Sequence, residues 1–91
     1  MPVRIKIPAP FRWFAGDQRE LYLECTDLAG LAAAIREMYP DLAARICEPD
    51  GGVKDFINVY VNGDDMRFLS GLETPLADGD EVLIVPALAG G

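Results

Sequence analysis

The stretch "EVLIVP", Glu81–Pro86, is the clearest starting point for assigning the fold. Its run of aliphatic and β-branched residues predicts a strand. Because alternate residues of a strand face opposite sides, Val82 and Ile84 share one face, and Leu83 and Val85 share the other. Such a strand is either buried on both faces or carries one buried and one exposed apolar face.

Two alternating segments open the chain and predict a pair of strands. They are "VRIKI", Val3–Ile7, and "RELYLEC", Arg19–Cys25, in which apolar residues occupy every second position. We interpret the intervening "FRWFAGDQ" as a loop that closes in a turn at Gly16 and Asp17. In this interpretation Cys25 is a core residue of the second strand, because a free cysteine is usually a small buried hydrophobe.

A helix is predicted after the second strand. Thr26 is the expected N-cap, and Asp27 adds negative charge to the first turn. Pro40 ends the helix, and "DLAARI" adds one further helical turn. Apolar residues at spacings of three and four predict a face packed on a sheet: Leu28, Leu31, Ala32, Ile35, Met38 and Tyr39.

The segment "FINVYV", Phe56–Val61, predicts another strand, and the turn Asn62–Asp65 follows it. "MRFL" predicts a short edge strand, and Leu72 and Leu76 are expected to anchor the turn-rich segment after it. The helix between the hairpin and the later strands should place a later strand parallel to the first. The sequence therefore predicts an α+β domain, a mixed sheet packed on one main helix, in the order of the ubiquitin-like β-grasp fold.

Composition narrows the classes of function. A chain of 91 residues makes one domain, and its net charge of -7, from 15 acidic and 8 basic residues, disfavours nucleic acid and favours a partner with a basic groove. No apolar run is long enough to cross a membrane, and the N-terminus lacks a signal-peptide pattern. Two cysteines, without a disulfide framework, indicate the reducing cytoplasm.

Side chains suited to catalysis are scarce. The chain has no histidine, so Ser70 and Thr74 lack a histidine base to activate them. The clustered carboxylates at 64–65 and 78–81 lack the spacing of a calcium loop, and we interpret them as turn residues. We therefore predict no catalytic residue and no metal site within the chain.

The final segment "VPALAGG", Val85–Gly91, offers one reactive group, the α-carboxylate of Gly91. Six residues from Pro86 onward reach about 20 Å when extended, and glycines without Cβ atoms fit a narrow channel. We predict a β-grasp domain over residues 1–86 and a tail over 87–91, with a free terminus at Gly91; a merely frayed end is the alternative. The residues expected to thread a partner's active site are Pro86, Ala87, Leu88, Ala89 and Gly90.

A partner must also recognise the folded domain, and apolar anchors rimmed by charge are typical of docking surfaces. The sheet face away from the helix is the expected place. The alternative is that the loops at 11–14 and 47–54 bury several of the candidates. These candidates are Tyr60, Arg67, Phe68, Leu69, Leu83 and Val85.

The segment "LADGDEVLIVPALAGG", residues 76–91, resembles the C-terminus of the ThiS/MoaD class of sulfur-carrier proteins, which are ubiquitin-like and end in Gly-Gly. The upstream "FINVYVNGDDMRFLSGLETPL", residues 56–76, is most similar to the branch whose carrier feeds cysteine synthesis. The small subunits of molybdopterin synthase share the "L-x-x-G-D-E-V" and "A-G-G" elements nearly as well.

This resemblance implies a function. An E1-like enzyme would use ATP to adenylate Gly91, a sulfur donor would convert it to a thiocarboxylate, and a synthase would accept the sulfur. The chain itself would be no enzyme, would bind no cofactor tightly and would be a monomer when free. Two alternatives stay open: a ubiquitin-like modifier joined to lysines through Gly91, and a plain binding module with an inert tail.

Overall fold

The computed structural model describes residues 2–87, which form a mixed five-stranded sheet covered on one face by helices. Short 3₁₀ helices occupy three of the connections, at Ala9–Ala15, Met66–Phe68 and Gly71–Glu73. The longer elements are β1 (Val3–Lys6), β2 (Glu20–Leu23), α1 (Leu28–Met38), α2 (Pro40–Ile46), β3 (Ile57–Val61), β4 (Asp64–Asp65) and β5 (Glu81–Pro86).

The strand order across the sheet is β2-β1-β5-β3-β4. β1 pairs antiparallel with β2 and parallel with β5, and β5 pairs antiparallel with β3. The parallel pair joins the first strand to the last, as the crossover through the helix predicts. The α+β fold with a main helix packed on a mixed sheet is thus confirmed, and β5 lies at its centre.

The two faces of β5 differ sharply in exposure. Val82 and Ile84 are 0% and 2% exposed and pack in the core with the inward residues of β1 and β3. Leu83 is 36% exposed, and Val85 is half-buried. Of the two alternatives for this strand, the structure therefore supports one buried face and one exposed apolar face. We call the face that carries Leu83 the outer face.

The helical layer closes the core from the other side. Leu31 and Ile35 of α1 and Leu42 of α2 are all buried. Leu76 is buried and Leu72 packs against the same core, so both predicted anchors are confirmed. Met38 was expected to face inward, but it is 55% exposed because α1 ends there and Pro40 starts α2 in a new direction. The single extra turn predicted after Pro40 is a helix of 7 residues.

Three further expectations about local structure are wrong. The segment before Gly16 forms a 3₁₀ helix rather than a loop, although the predicted turn is present, since Gly16 and Asp17 have φ values of 65° and 61°. "MRFL" contains a 3₁₀ helix, and the short edge strand is β4. Cys25 lies beyond the end of β2 and is only partly buried, because the chain leaves the sheet after Leu23 to enter α1.

The N-cap of α1 is Asp27 rather than Thr26. Asp27 has extended backbone angles, and its Oδ1 accepts a hydrogen bond of 2.7 Å from the Gly30 N–H. A Cβ on residue 30 would lie 3.1 Å from this oxygen, so glycine allows the close approach. Asp27 therefore satisfies one of the N–H groups that a helix start leaves without a partner.

We expect Asp27→Ala to lower the free energy of unfolding by about 1 kcal/mol, the usual cost of removing an N-cap side chain. Thr26→Ala is the matched control, because its side chain does not cap the helix, and it should change stability much less. Urea unfolding followed by circular dichroism measures both. Equal losses in the two variants would contradict the assignment of the cap.

Candidate functional site: the outer face and the end of β5

The last described residues lie at the end of β5. Pro86 lies opposite Ile57 of β3, and the Ala87 N–H donates a 2.6 Å hydrogen bond to the Phe56 carbonyl. Contact with the sheet therefore continues one residue beyond Pro86, the residue at which the tail was expected to leave. Leu88, Ala89, Gly90 and Gly91 fall outside the described residues, and their roles in the tail remain predictions.

Leu83 occupies the middle of the outer face. In the register of the sheet it lies beside Lys6 of β1 on one side and Tyr60 of β3 on the other. Val85, the next outward residue of β5, lies beside Asn58. Strand pairing thus brings Tyr60, Leu83 and Val85 together into an apolar strip that leads toward Pro86.

Arg67 borders this strip at the edge of the sheet. Its Nη2 donates to Asp65 Oδ2 at 2.7 Å and to Asn58 Oδ1 at 2.8 Å, and its Nε donates to Asp65 Oδ1 at 3.1 Å. These hydrogen bonds lower the pKa of Asp65 and hold the guanidinium in place. The Arg67 side chain nevertheless remains 61% exposed, so its guanidinium is both oriented and available to a partner.

Phe68 and Leu69 follow Arg67 in the chain, outside any strand, so strand alternation does not assign them to the outer face. They are 87% and 42% exposed. Of the six predicted docking residues, Tyr60 and Val85 are half-buried and the other four are exposed. None of the six is fully buried, which argues against the alternative that neighbouring loops bury several of them. Docking at these residues remains a prediction.

The sequence reasoning left several outer-face residues out of the docking set. Tyr22 is 59% exposed and lies beside Arg4, whose guanidinium pairs with Glu81. Alternation in "RELYLEC" already placed Tyr22 opposite to Leu21 and Leu23. The sequence does not reveal the position of β2 in the sheet. Only the strand order shows that Tyr22 shares a face with Leu83.

The turn interpretation of the carboxylates agrees with the geometry at Asp80. Its carboxylate accepts hydrogen bonds from the Ala77 N–H at 2.8 Å and from Asn62 Nδ2 at 3.1 Å, and these lower its pKa. Asn62 in turn has a left-handed φ of 51°, typical of a turn residue.

The thiols of Cys25 and Cys47 have raised pKa values because both are partly desolvated, which disfavours a reactive thiolate. Within residues 2–87, no three potential metal-ligating side chains come together.

The family assignment follows from the comparison with known proteins. The sequence model of the ThiS family matches residues 5–91, which is nearly the whole chain. The chain belongs to the ThiS family. This confirms the family resemblance that the C-terminal segment of the sequence indicated.

Members similar to this ThiS-family chain include carriers and a modifier. It is 37% identical to "Sulfur carrier protein CysO" of Mycobacterium tuberculosis over 93 residues, covering 100% of both chains. It is also 37% identical to "Small archaeal modifier protein 3" of Haloferax volcanii over 94 residues, again covering 100% of both. A relative named as a sulfur carrier and a relative named as a modifier protein are therefore equally similar to this chain in sequence.

A solved structure of an assembly is similar as well. The structure described as the Amycolatopsis orientalis BexX/CysO complex contains a chain that superimposes with a TM-score of 0.89 and 32% sequence identity, covering 98% of this chain and 99% of that one. That structure is of a complex between BexX and CysO. In the described part of the present chain, no helix is long and apolar enough to cross a membrane.

Proposed function

We propose that this chain is a sulfur carrier of the cysteine-synthesis or molybdopterin type, activated at its C-terminal glycine. An E1-like enzyme adenylates the Gly91 carboxylate with ATP, releasing pyrophosphate. A sulfur donor displaces AMP to leave a thiocarboxylate, and a synthase accepts the sulfur. The observation that carries the proposal is full-length similarity to a named sulfur carrier, in a chain whose central strand leads directly into the Gly-Gly tail.

The fold suits this role because β5 is held on both sides. Its hydrogen bonds to β1 and β3, and the bond from Ala87 to Phe56, anchor the base of the tail to the domain. Four residues beyond Ala87 span about 14 Å when extended, which reaches into an active site while the domain remains outside. A tethered group also has a high effective concentration at each enzyme on which the domain docks.

The chain contributes position rather than chemistry in this proposal. The partner supplies the nucleotide, and the carrier is its substrate, so no tightly bound cofactor is needed. The outer face is the docking surface: Leu83 and Tyr60 supply apolar contact, and Arg67 supplies an oriented charge at the rim.

Intact-mass spectrometry of the chain co-produced with its activating enzyme and sulfur donor tests the proposal. We expect a species heavier by the mass difference between sulfur and oxygen, and mapped to the C-terminal peptide. The chain produced without the activating enzyme is the control and should lack this species. If the mass is unchanged although the enzyme and donor act on another carrier, the chain is not a sulfur carrier.

A second candidate function is supported by the small archaeal modifier protein at 37% identity. Activation would be the same, but a lysine amine would attack the adenylated Gly91 and form an isopeptide bond. The two outcomes differ in the product: a thiocarboxylate on the free chain, or the C-terminal peptide linked to a lysine of another protein. Mass spectrometry of cell extracts distinguishes them.

A further inference from the structure

A basic groove lies at one border of the outer face, between the end of β1, the 3₁₀ helix Ala9–Ala15 and the start of β2. Its volume is about 270 Å³. Three of its lining residues are basic, one is acidic, and the rest are apolar. They are Lys6, Arg12, Arg19, Glu20, Ile7, Pro8 and Leu83.

This groove is at the end of the sheet from which the tail leaves. β1 and β5 run parallel, with Lys6 beside Leu83, so the residues after Lys6 continue in the direction of Pro86. Leu83 lines both the groove and the apolar strip. A partner that covers Leu83 while receiving the tail therefore also meets the groove.

The groove retains an excess of positive charge, because three basic side chains and one acidic side chain, Glu20, line it. Arg12 Nε donates to the Ile7 carbonyl at 3.0 Å, which positions the guanidinium without cancelling its charge. Lys6 Nζ is 3.6 Å from Glu81 Oε2, but Glu81 is also paired with Arg4. Within residues 2–87 Arg19 is exposed and forms no ion pair. The groove is locally positive in a chain of net charge -7.

Acidic side chains are concentrated at the opposite end of β5. Asp80 and Asp65 lie around the β3–β4 turn, and hydrogen bonds lower the pKa of both carboxylates, so they are charged at neutral pH. Leu83, which lines the groove, is three positions from Asp80, about 10 Å at the rise of a strand. Screening in physiological salt acts over about 8 Å, so a docked partner meets the local charge more strongly than the net charge.

We propose that the groove formed by Lys6, Arg12 and Arg19 receives carboxylate side chains of the activating enzyme, at the entrance of the channel that takes the tail. This inference rests on the proposed function, because it names the chemistry of the partner at the same docking surface. The negative net charge favours a partner with a basic surface. At this groove we expect the opposite, an acidic partner surface. The groove orients the domain so that the tail enters the channel.

Steady-state kinetics of pyrophosphate release, with the E1-like enzyme as catalyst and the carrier as substrate, test the groove. We expect Arg19→Glu to lower kcat/KM by about tenfold through KM, with kcat unchanged, since a rim charge acts on association. Arg36→Glu is the matched control. It makes the same charge change on α1, away from the outer face, where Arg36 forms no ion pair within residues 2–87.

The salt dependence adds a second readout. The difference between Arg19→Glu and the wild-type chain should shrink as ionic strength rises, because screening removes attraction between exposed charges. Equal KM values for Arg19→Glu and Arg36→Glu would overturn the groove proposal. The proposed function would still stand in that case, as long as the wild-type chain is activated. A lower KM for Arg19→Glu would also overturn it, by indicating a basic partner surface. If the wild-type chain releases no pyrophosphate, both proposals fail together.

Discussion

Deletion of Gly91 is expected to lower ATP-dependent activation by at least about 100-fold. The deletion leaves a glycine carboxylate, but moves it about 3.5 Å back toward the domain. A misplacement of about 1 Å from the reacting geometry already costs about 100-fold, so the loss should approach abolition. Addition of one alanine after Gly91 should have a similar effect, because it converts the reacting carboxylate into a peptide bond. Pyrophosphate release measures both variants.

An alanine added at the N-terminal end is the matched control, since it adds the same mass without moving the C-terminal carboxylate. It should be activated like the wild-type chain. The predicted pair of losses separates the carrier and modifier functions, which both need Gly91, from a binding module with an inert tail. Activation of the deleted chain within tenfold of the wild-type rate would contradict Gly91 as the reacting residue.

Substitutions on the two faces of β5 should have different effects, one mainly on folding stability and the other mainly on activation by the partner enzyme. We expect Ile84→Ala to lower the free energy of unfolding by about 2–5 kcal/mol, as for other large-to-small substitutions in a core. Ile84 is only 2% exposed, while the neighbouring Leu83 is 36% exposed. Leu83→Ala should therefore cost clearly less stability, but should raise the KM for the activating enzyme about tenfold, the effect of losing an apolar anchor.

These adjacent variants control for each other, because each removes part of an aliphatic side chain from the same strand. Urea unfolding gives stability, and pyrophosphate release at a temperature where both variants are folded gives KM and kcat. A stability loss in Leu83→Ala as large as in Ile84→Ala would show that the outer face is part of the core. An unchanged KM in Leu83→Ala would remove Leu83 from the docking surface.

Much of the fold could be predicted from alternation and spacing. The inward residues of β1, β3 and β5 follow from period-two patterns, and the order of elements was enough to identify the β-grasp arrangement. Met38 and Cys25 were misplaced because each lies where a regular element ends, and a periodic pattern does not mark that position.

The cap of α1 shows a different kind of failure. Thr26 and Asp27 are both favourable N-cap residues, and the sequence does not distinguish them. The choice depends on which side-chain oxygen reaches the Gly30 N–H, and that depends on backbone angles at the junction with β2. A bridge between Asp27 and Pro75, far along the chain, helps to place this junction.

The sequence by itself determined the glycine pair at 90–91, the alternating faces of β5 and the absence of histidine, because these follow from residue identity and from spacing over a few positions. The tertiary structure alone decided which side chains surround the base of the tail. The groove joins residues 6, 12 and 19 to Leu83 because β1 pairs in parallel with β5. The net charge of -7 cannot reveal this locally positive surface. Because salt screens distant charges, a partner responds mainly to the charged side chains near its contact, and the tertiary structure decides which side chains those are.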